Sequence, residues 1–160
     1  MRILSVFSAL MLGVVLLPSA VAQTASQNVT VVVQEITAIS VTGSVSLTIN
    51  SVGSAGDDPD EVSASSSYNL TTNGADKKIV AELDSAFPTG ITLAANMAAP
   101  SAGGSSVGAV NLSSSAQDLV TGITRLRGSA VPITYTASAT VEAEPDPGIS
   151  RTVTFTVTNS

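Results

Sequence analysis

The sequence predicts an all-β protein folded as a β-sandwich of short antiparallel strands. Apolar and polar residues alternate with a period of two in many short stretches, which is the pattern of strands that bury one face. Residues that favour turns separate these stretches at intervals of roughly ten residues, as is typical of sandwiches. Only one short stretch, residues 113–122, has any helical character. Two packed sheets are therefore the expected architecture.

The first 22 residues have the pattern of a cleaved secretory signal peptide. Arg2 gives a short basic region, residues 3–17 give an apolar run, and residues 20–22, Ala-Val-Ala, give a small-x-small cleavage site. The apolar run is shorter than the ~20 residues that a membrane-spanning helix needs, which disfavours the alternative of an uncleaved anchor. We therefore expect a secreted, extracellular chain that starts at Gln23 and has no membrane span after cleavage.

The composition excludes most enzyme classes. The chain has no His, Cys or Trp, which rules out serine–histidine triads, cysteine nucleophiles, disulfides and zinc sites built from His or Cys. A carboxylate pair could still hydrolyse sugars, but the aromatic residues that line sugar clefts are scarce. Without Arg2 the chain has five basic and twelve acidic residues, a net charge of −7, which disfavours nucleic acid as a partner. The composition predicts a non-enzymatic domain without a cofactor.

Residues 23–37 are predicted to be an extended N-terminal segment. Residues 29–42 contain no Gly, Pro, Asn or Asp, so the run is much longer than a usual strand. Its alternation breaks near Glu35, which predicts one strand at 28–35 and a second at 38–50, without a turn between them. The first strand either pairs within its own sandwich or leaves it, and residues 38–160 form the sandwich domain.

Two acidic clusters fall in predicted loops. The loop at 51–61 carries four acidic residues, namely Asp57, Asp58, Asp60 and Glu61. Carboxylates are calcium ligands, so this cluster is a candidate calcium site, although its spacing differs from the twelve-residue calcium loop and a merely solvated loop is the alternative. A second cluster, Glu142, Glu144 and Asp146, could share the ion if both loops lie at one end of the domain.

The central part of the chain predicts a hairpin and several further strands. Residues 62–72 form a serine-rich strand with Tyr68 and Leu70 inward, Asn73-Gly74 begins a turn, and residues 77–84 return beside the first strand. Further strands are expected at 91–97 and 109–112. Residues 113–122, with serine at the start and Gly122 at the end, indicate either a short helix or a crossover between strands.

The C-terminus predicts a second antiparallel hairpin, within residues 131–158. Apolar residues alternate with threonine and serine on both arms, and Pro145, Pro147 and Gly148 interrupt the connection. Counting all stretches gives a single Ig-like sandwich of eight or nine antiparallel strands with Greek-key connections.

The layout of the whole chain resembles that of secreted fibre subunits that assemble by donor-strand complementation, including biofilm-matrix fibre proteins and bundling pilins. The shared features are a signal peptide, an uncharged β-prone N-terminal segment and a globular sandwich. Residues 41–50 and 115–123 also resemble stretches of small secreted bacterial proteins. The resemblance implies a structural subunit of a pilus or matrix fibre at the cell surface, with copies of itself as its partners.

A physical argument supports this hypothesis. An extended segment that enters an open groove satisfies its backbone hydrogen bonds while alternate side chains fill pockets. Val29, Val31 and Val33 share one parity and would be these pocket residues. Head-to-tail insertion does not close on itself, so it gives a filament. The alternative function is a monomeric adhesion or ligand-binding module on a cell surface that uses its loops, with or without calcium.

Overall fold

The computed structural model describes residues 22–160 and divides the chain into two units. The first unit is Met1–Val32, of which residues 22–32 are described, and these are exposed and form neither strand nor helix. The second unit, Val33–Ser160, is the folded domain. The predicted signal peptide lies outside the described residues except for Ala22. Within residues 22–160, no helix has the length and apolar character needed to cross a membrane.

The second unit is a β-sandwich of nine strands in two antiparallel sheets, which confirms the predicted fold class and strand number. The strands are β1 (Thr37–Val41), β2 (Val62–Thr72), β3 (Lys77–Leu83), β4 (Ile91–Met97), β5 (Ser105–Ser106), β6 (Ala109–Asn111), β7 (Gln117–Ile123), β8 (Leu126–Ala139) and β9 (Val153–Asn159). One sheet has the order β1-β2-β8-β4-β6, and the other has the order β5-β7-β3-β9. Strands β2 and β4 have the bounds that the alternation predicts.

The core consists of aliphatic side chains and two tyrosines between the sheets. Its fully buried large side chains are Tyr68, Leu70, Ile79, Met97, Leu119, Val120, Ile123 and Ile133. The Tyr68 hydroxyl donates a hydrogen bond of 2.7 Å to the Ala98 carbonyl, so burial leaves its polar tip satisfied. Burial also raises the pKa of Tyr68 from 10.0 to about 12. The chain has no cysteine and therefore no disulfide, so its stability comes from this core and from strand pairing.

The predicted hairpin of residues 62–84 is wrong, because β2 and β3 belong to different sheets. Strand β2 pairs with β1 and β8, whereas β3 pairs with β7 and β9. The inward residues are nevertheless the predicted ones, since Tyr68 and Leu70 face Ile79 and Ala81 across the core. The segment around Asn73-Gly74 is a crossing between sheets, held by a 2.8 Å hydrogen bond from the Arg125 amide to the Gly74 carbonyl.

The predicted C-terminal hairpin is wrong for the same reason. Strand β8 lies between β2 and β4 in the five-stranded sheet, and β9 lies beside β3 in the other sheet. From β3 onward, each strand lies in the sheet opposite to that of the strand before it. A period of two specifies which face of a strand is buried, but two strands can bury their faces by lying side by side or by facing each other.

Residues 113–122, for which the sequence predicts a short helix or a crossover, form no helix. The strand β7 occupies much of this stretch. The register of β7 against β3 shifts twice, so that Leu119 and Val120 are both buried although they are neighbours. Gly122 has a φ of 65°, which fits a bulge. These bulges break the period of two and hide the strand pattern.

The N-terminal strands are shorter than predicted. Residues 28–35 are not part of a strand in the described part of the chain, and the strand predicted at 38–50 is reduced to β1, Thr37–Val41. Gly43, which follows β1, has a φ of 73°, a backbone conformation that glycine adopts readily. The alternation after it holds, because Val45, Leu47 and Ile49 are half-buried between exposed residues.

Candidate functional site

The sandwich has two unpaired strand edges close together on one side. Among the described residues, β1 is the last strand of the five-stranded sheet and β9 is the last strand of the four-stranded sheet. Strands β1 and β9 lie near each other in space. An edge strand presents a row of backbone N–H and C=O groups without ladder partners, which can pair with a further strand. We call this side of the domain, between β1 and β9, the open side.

The core is incompletely covered along β9. The core-facing side chains of this strand, Val153, Phe155 and Val157, are half-buried and pack against the core. On the neighbouring strand β3, the equivalent side chains of Ile79 and Ala81 are fully buried. Apolar side chains at the open side would therefore lose further contact with water if another chain covered them.

The backbone of β9 alternates between its neighbour β3 and the open side. Asp84 N–H donates to the Thr152 carbonyl at 3.0 Å, and Ser160 N–H donates to the Asp76 carbonyl at 2.9 Å. Because the pairing of β3 with β9 has no register shift, even-numbered residues of β9 point their backbone groups toward β3. The backbone groups of the odd-numbered residues Val153, Phe155 and Val157 consequently point toward the open side.

A second stretch of the domain has backbone groups without ladder partners. Residues 43–50 form no strand, and within the described residues their backbone makes no hydrogen bond with another segment. Even so, Val45 and Leu47 pack against the core. This stretch has the side-chain pattern of a strand without the neighbour that would complete its ladder.

The N-terminal segment carries the predicted pocket residues in an exposed state. Val29, Val31 and Val33 are 78%, 80% and 76% exposed, and Val32, of the opposite parity, is 78% exposed. Exposed valines at alternate positions on an extended, uncharged segment are a hazard for aggregation unless a partner covers them. The structure thus leaves the predicted donor residues accessible.

The segment's junction with the domain, residues 34–36, is held in place by the side chain of Asn73. Asn73 Oδ1 accepts a hydrogen bond of 2.6 Å from Ile36 N–H, and Asn73 Nδ2 donates one of 2.8 Å to the Gln34 carbonyl. The backbone N–H of Asn73 also donates a hydrogen bond of 3.1 Å to the Ile36 carbonyl. The sequence predicts only a turn at Asn73, since nothing in its local pattern indicates a partner 37 residues away.

A buried lysine lies beside this junction. Lys77, at the start of β3, is only 8% exposed, and its Nζ is 2.6 Å from Glu35 Oε1. The same Nζ donates a hydrogen bond of 2.6 Å to Asn159 Oδ1 at the end of β9. One cation thus connects the base of the N-terminal segment to the edge strand of the open side.

The two acidic loops do lie at one end of the domain. Val141 N–H donates to Asp58 Oδ1 at 3.0 Å, and a shallow depression of about 530 Å³ includes Asp58, Glu61 and Glu142 in its lining. Asp60 is engaged elsewhere, since its Oδ2 accepts a 2.7 Å hydrogen bond from the Ser51 hydroxyl.

The predicted calcium site is not assembled by this geometry. Across residues 22–160, no three acidic side chains converge closely enough to hold a metal ion. Of the predicted ligands Asp57, Asp58, Asp60 and Glu61, only Asp58 and Glu61 line the depression. Calcium binding stays a prediction that this arrangement of side chains does not support.

Fold and site define the class of this protein as an all-β sandwich with an open side between β1 and β9 and an N-terminal segment that carries exposed valines. The sequence matches no protein-family model, and a search of curated proteins finds no match.

Proposed function

We propose that this protein is a structural subunit of an extracellular filament, a pilus or a biofilm-matrix fibre. The N-terminal segment of one subunit adds as a strand to β9 of the next subunit, with Val29, Val31 and Val33 directed at the core. The observation that carries this proposal is the open side of the sandwich, where β9 has an unpaired edge above half-buried apolar side chains.

The segment and the edge are complementary in backbone and in side chains. An added strand can hydrogen-bond with the outward backbone groups of Val153, Phe155 and Val157, while its alternate valines cover the side chains of the same three residues. Burying one exposed valine contributes about 1.5–3 kcal/mol. The side chains of residues 23–34 carry no charge, so insertion of Val29, Val31 and Val33 buries no charged side chain.

The same geometry explains why assembly gives a filament. The donor segment and the acceptor edge are different surfaces of one chain, so each subunit that donates still offers a free edge. Such heterologous contacts repeat along a line unless the rotation between subunits closes a ring. Each subunit would therefore use its N-terminal segment once and its β9 edge once.

The donor side is tested with a pair of variants of the mature chain, residues 23–160. Val31→Asp places a charge where the proposal puts a pocket, so we expect folded monomers and no filaments in electron micrographs. Val32→Asp makes the same change at a neighbour that is equally exposed but has the opposite parity, and it should still give filaments. If both variants form filaments, or if neither does, the assignment of Val31 to the core-facing side of the inserted strand is wrong.

The acceptor side is tested with Val157→Pro. Proline removes one N–H that points to the open side and leaves the hydrogen bonds between β9 and β3 intact. This variant should fold and fail to polymerise. Mixed with Val31→Asp, it should give dimers that do not grow, because one variant retains only a donor and the other only an acceptor.

Deletion of residues 23–33 provides the decisive control. If the mature chain makes filaments and the deleted chain stays a folded monomer, the segment is required for assembly. If the mature chain is itself a stable monomer under all conditions, the filament proposal fails. The alternative, a monomeric adhesion or ligand-binding module, then becomes the better hypothesis, with the depression near Asp58 and Glu142 as its first candidate surface.

A further inference from the structure

Lys77 occupies an unusual position for a lysine. It shares the parity of Ile79, Ala81 and Leu83 on β3, and these three residues form the core-facing row of that strand. Its side chain therefore starts from the inner face of the sandwich, at the end where β3 begins. A cation is rarely placed there unless specific partners surround it.

Asn159 lies opposite Lys77 on β9, and the pairing brings their side chains together. The two residues are register partners, and Asn159 shares the parity of the core-facing residues Val153, Phe155 and Val157. Because even-numbered residues of β9 make the hydrogen bonds to β3, Lys77 and Asn159 form a non-hydrogen-bonded pair. In such pairs the strands approach more closely, at about 4.5 Å between Cα atoms.

The third member of this group is Glu35. Its Oε1 is 2.6 Å from Lys77 Nζ, and that nitrogen is also 2.6 Å from Asn159 Oδ1. A nucleophilic amine, an amide carbonyl and a carboxylate that can carry protons therefore meet at one point. These are the groups that an amine needs in order to displace ammonia from an amide.

We propose that Lys77 and Asn159 form an intramolecular isopeptide bond, with Glu35 as the proton carrier. The Glu35 carboxylate takes a proton from the Lys77 ammonium, and the free amine attacks Asn159 Cγ to form a C–N bond. The tetrahedral intermediate loses one of its two remaining Nζ protons to solvent and keeps the other as the isopeptide N–H. Glu35 delivers its proton to Nδ2, and the Cγ–Nδ2 bond breaks to release ammonia, which takes up a proton from solvent. Glu35 returns to its charged form, and no oxidant or cofactor is consumed.

The bond would fasten the edge strand β9 to β3 next to the base of the N-terminal segment. It closes a covalent loop from residue 77 to residue 159 in a chain that has no cysteine for disulfides. A covalent link of this length restricts the unfolded chain in the way a disulfide does. The proposal does not depend on filament assembly, since all three residues belong to one subunit.

Intact-mass spectrometry of the purified mature protein is the primary test. We expect a mass lower than that of the unmodified sequence by one molecule of ammonia. Trypsin cleaves after Arg151, so residues 152–160 should be recovered joined to the peptide that contains Lys77 instead of free. An unreduced mass together with a free 152–160 peptide overturns the proposal. A loss of water, as an amide between Lys77 and Glu35 would give, also overturns the assignment to Asn159.

Variants test the role of each residue by the same mass measurement. Lys77→Arg and Asn159→Ala should retain the full mass of their sequences, and Glu35→Gln should form the bond about a hundredfold more slowly. The matched control is Lys78→Arg, since Lys78 is the adjacent lysine, whose Nζ lies 3.0 Å from Asp118 Oδ1. It should lose ammonia as the wild type does. If Glu35→Gln forms the bond at the wild-type rate, Glu35 is not the proton carrier.

Discussion

At the scale of single residues, Tyr68 links burial to the pH dependence of stability. Burial raises its pKa in the folded state to about 12, against 10.0 for the ordinary side chain. The folded protein therefore holds the phenolic proton to higher pH than the unfolded chain does. Burial raises the pKa of Tyr135 in the same direction. The stability that the two tyrosines contribute is complete below their ordinary pKa and is lost as the pH rises through the raised values.

We predict that the free energy of unfolding falls between pH 10 and pH 12, and that it falls less steeply in Tyr68→Phe. The variant should also be about 1 kcal/mol less stable at neutral pH, because it loses the hydrogen bond to the Ala98 carbonyl. Urea unfolding at several pH values measures both effects. Equal slopes for the two proteins would show that Tyr68 does not titrate in this window.

Asn73 is the residue that fixes where the N-terminal segment leaves the domain. Its side chain bonds Ile36 N–H and the Gln34 carbonyl. We predict that Asn73→Ala lowers the stability of the whole domain by about 1 kcal/mol and speeds hydrogen exchange most at the Ile36 amide. Amide exchange measured by NMR tests this. Exchange at Ile36 as slow as in the wild type would mean that the side chain does not hold the junction.

At the scale of elements, the crossing between β2 and β3 depends on the absence of a side chain at Gly74. A Cβ there would lie 2.6 Å from Lys77 Cε and 3.0 Å from Glu35 Cδ, closer than atoms approach without a shift. An alanine there would therefore displace the ends of the Lys77 and Glu35 side chains, which contact each other and Asn159.

We predict that Gly74→Ala destabilises the domain by about 1 kcal/mol, because the displaced Lys77 loses its hydrogen bond to Asn159. Gly53→Ala is the control, because the nearest atom to its Cβ would be Asp60 Oδ1 at an ordinary 3.5 Å. Thermal unfolding of the two variants provides the comparison. If both lose the same amount, the close approach at Gly74 is not the cause.

At the scale of the whole molecule, the core is complete between β2, β3, β7 and β8 and thinner toward the open side. Ile133 on β8 is fully buried, whereas Phe155 on β9 is half-buried. Substitution by alanine should therefore lower the free energy of unfolding more at Ile133 than at Phe155, because the loss depends on the contacts that the removed atoms made.

We predict that Ile133→Ala lowers the stability of the monomer by about 2–5 kcal/mol, and that Phe155→Ala lowers it by much less. In filament assembly we expect the opposite ranking: Phe155→Ala should reduce polymerisation more than Ile133→Ala does, because Phe155 lies at the proposed acceptor edge. Chemical unfolding of monomers and electron microscopy of filaments make the two measurements. A Phe155→Ala variant that polymerises normally would argue against β9 as the acceptor.

The sequence alone predicted the fold class, the bounds of β2 and β4, and which side of β2 is buried. It predicted too much strand before β2, since residues 28–35 form none and the strand predicted at 38–50 is only β1, Thr37–Val41. The alternation predicted correctly that Tyr68 and Leu70 point inward, because a period of two is a local property of an extended chain. It failed at β7, where bulges place Leu119 and Val120 in the core together.

Only the tertiary structure decided which strands are neighbours. The pattern of β2 and β3 is equally satisfied by a hairpin and by two strands that face each other across a core, and the free energy of the whole sandwich selects between them. The contacts of Lys77 with Glu35 and Asn159 follow from that choice, since they join residues far apart in the chain. A local pattern specifies a strand's faces, whereas its partners depend on distant residues that the folded core brings together.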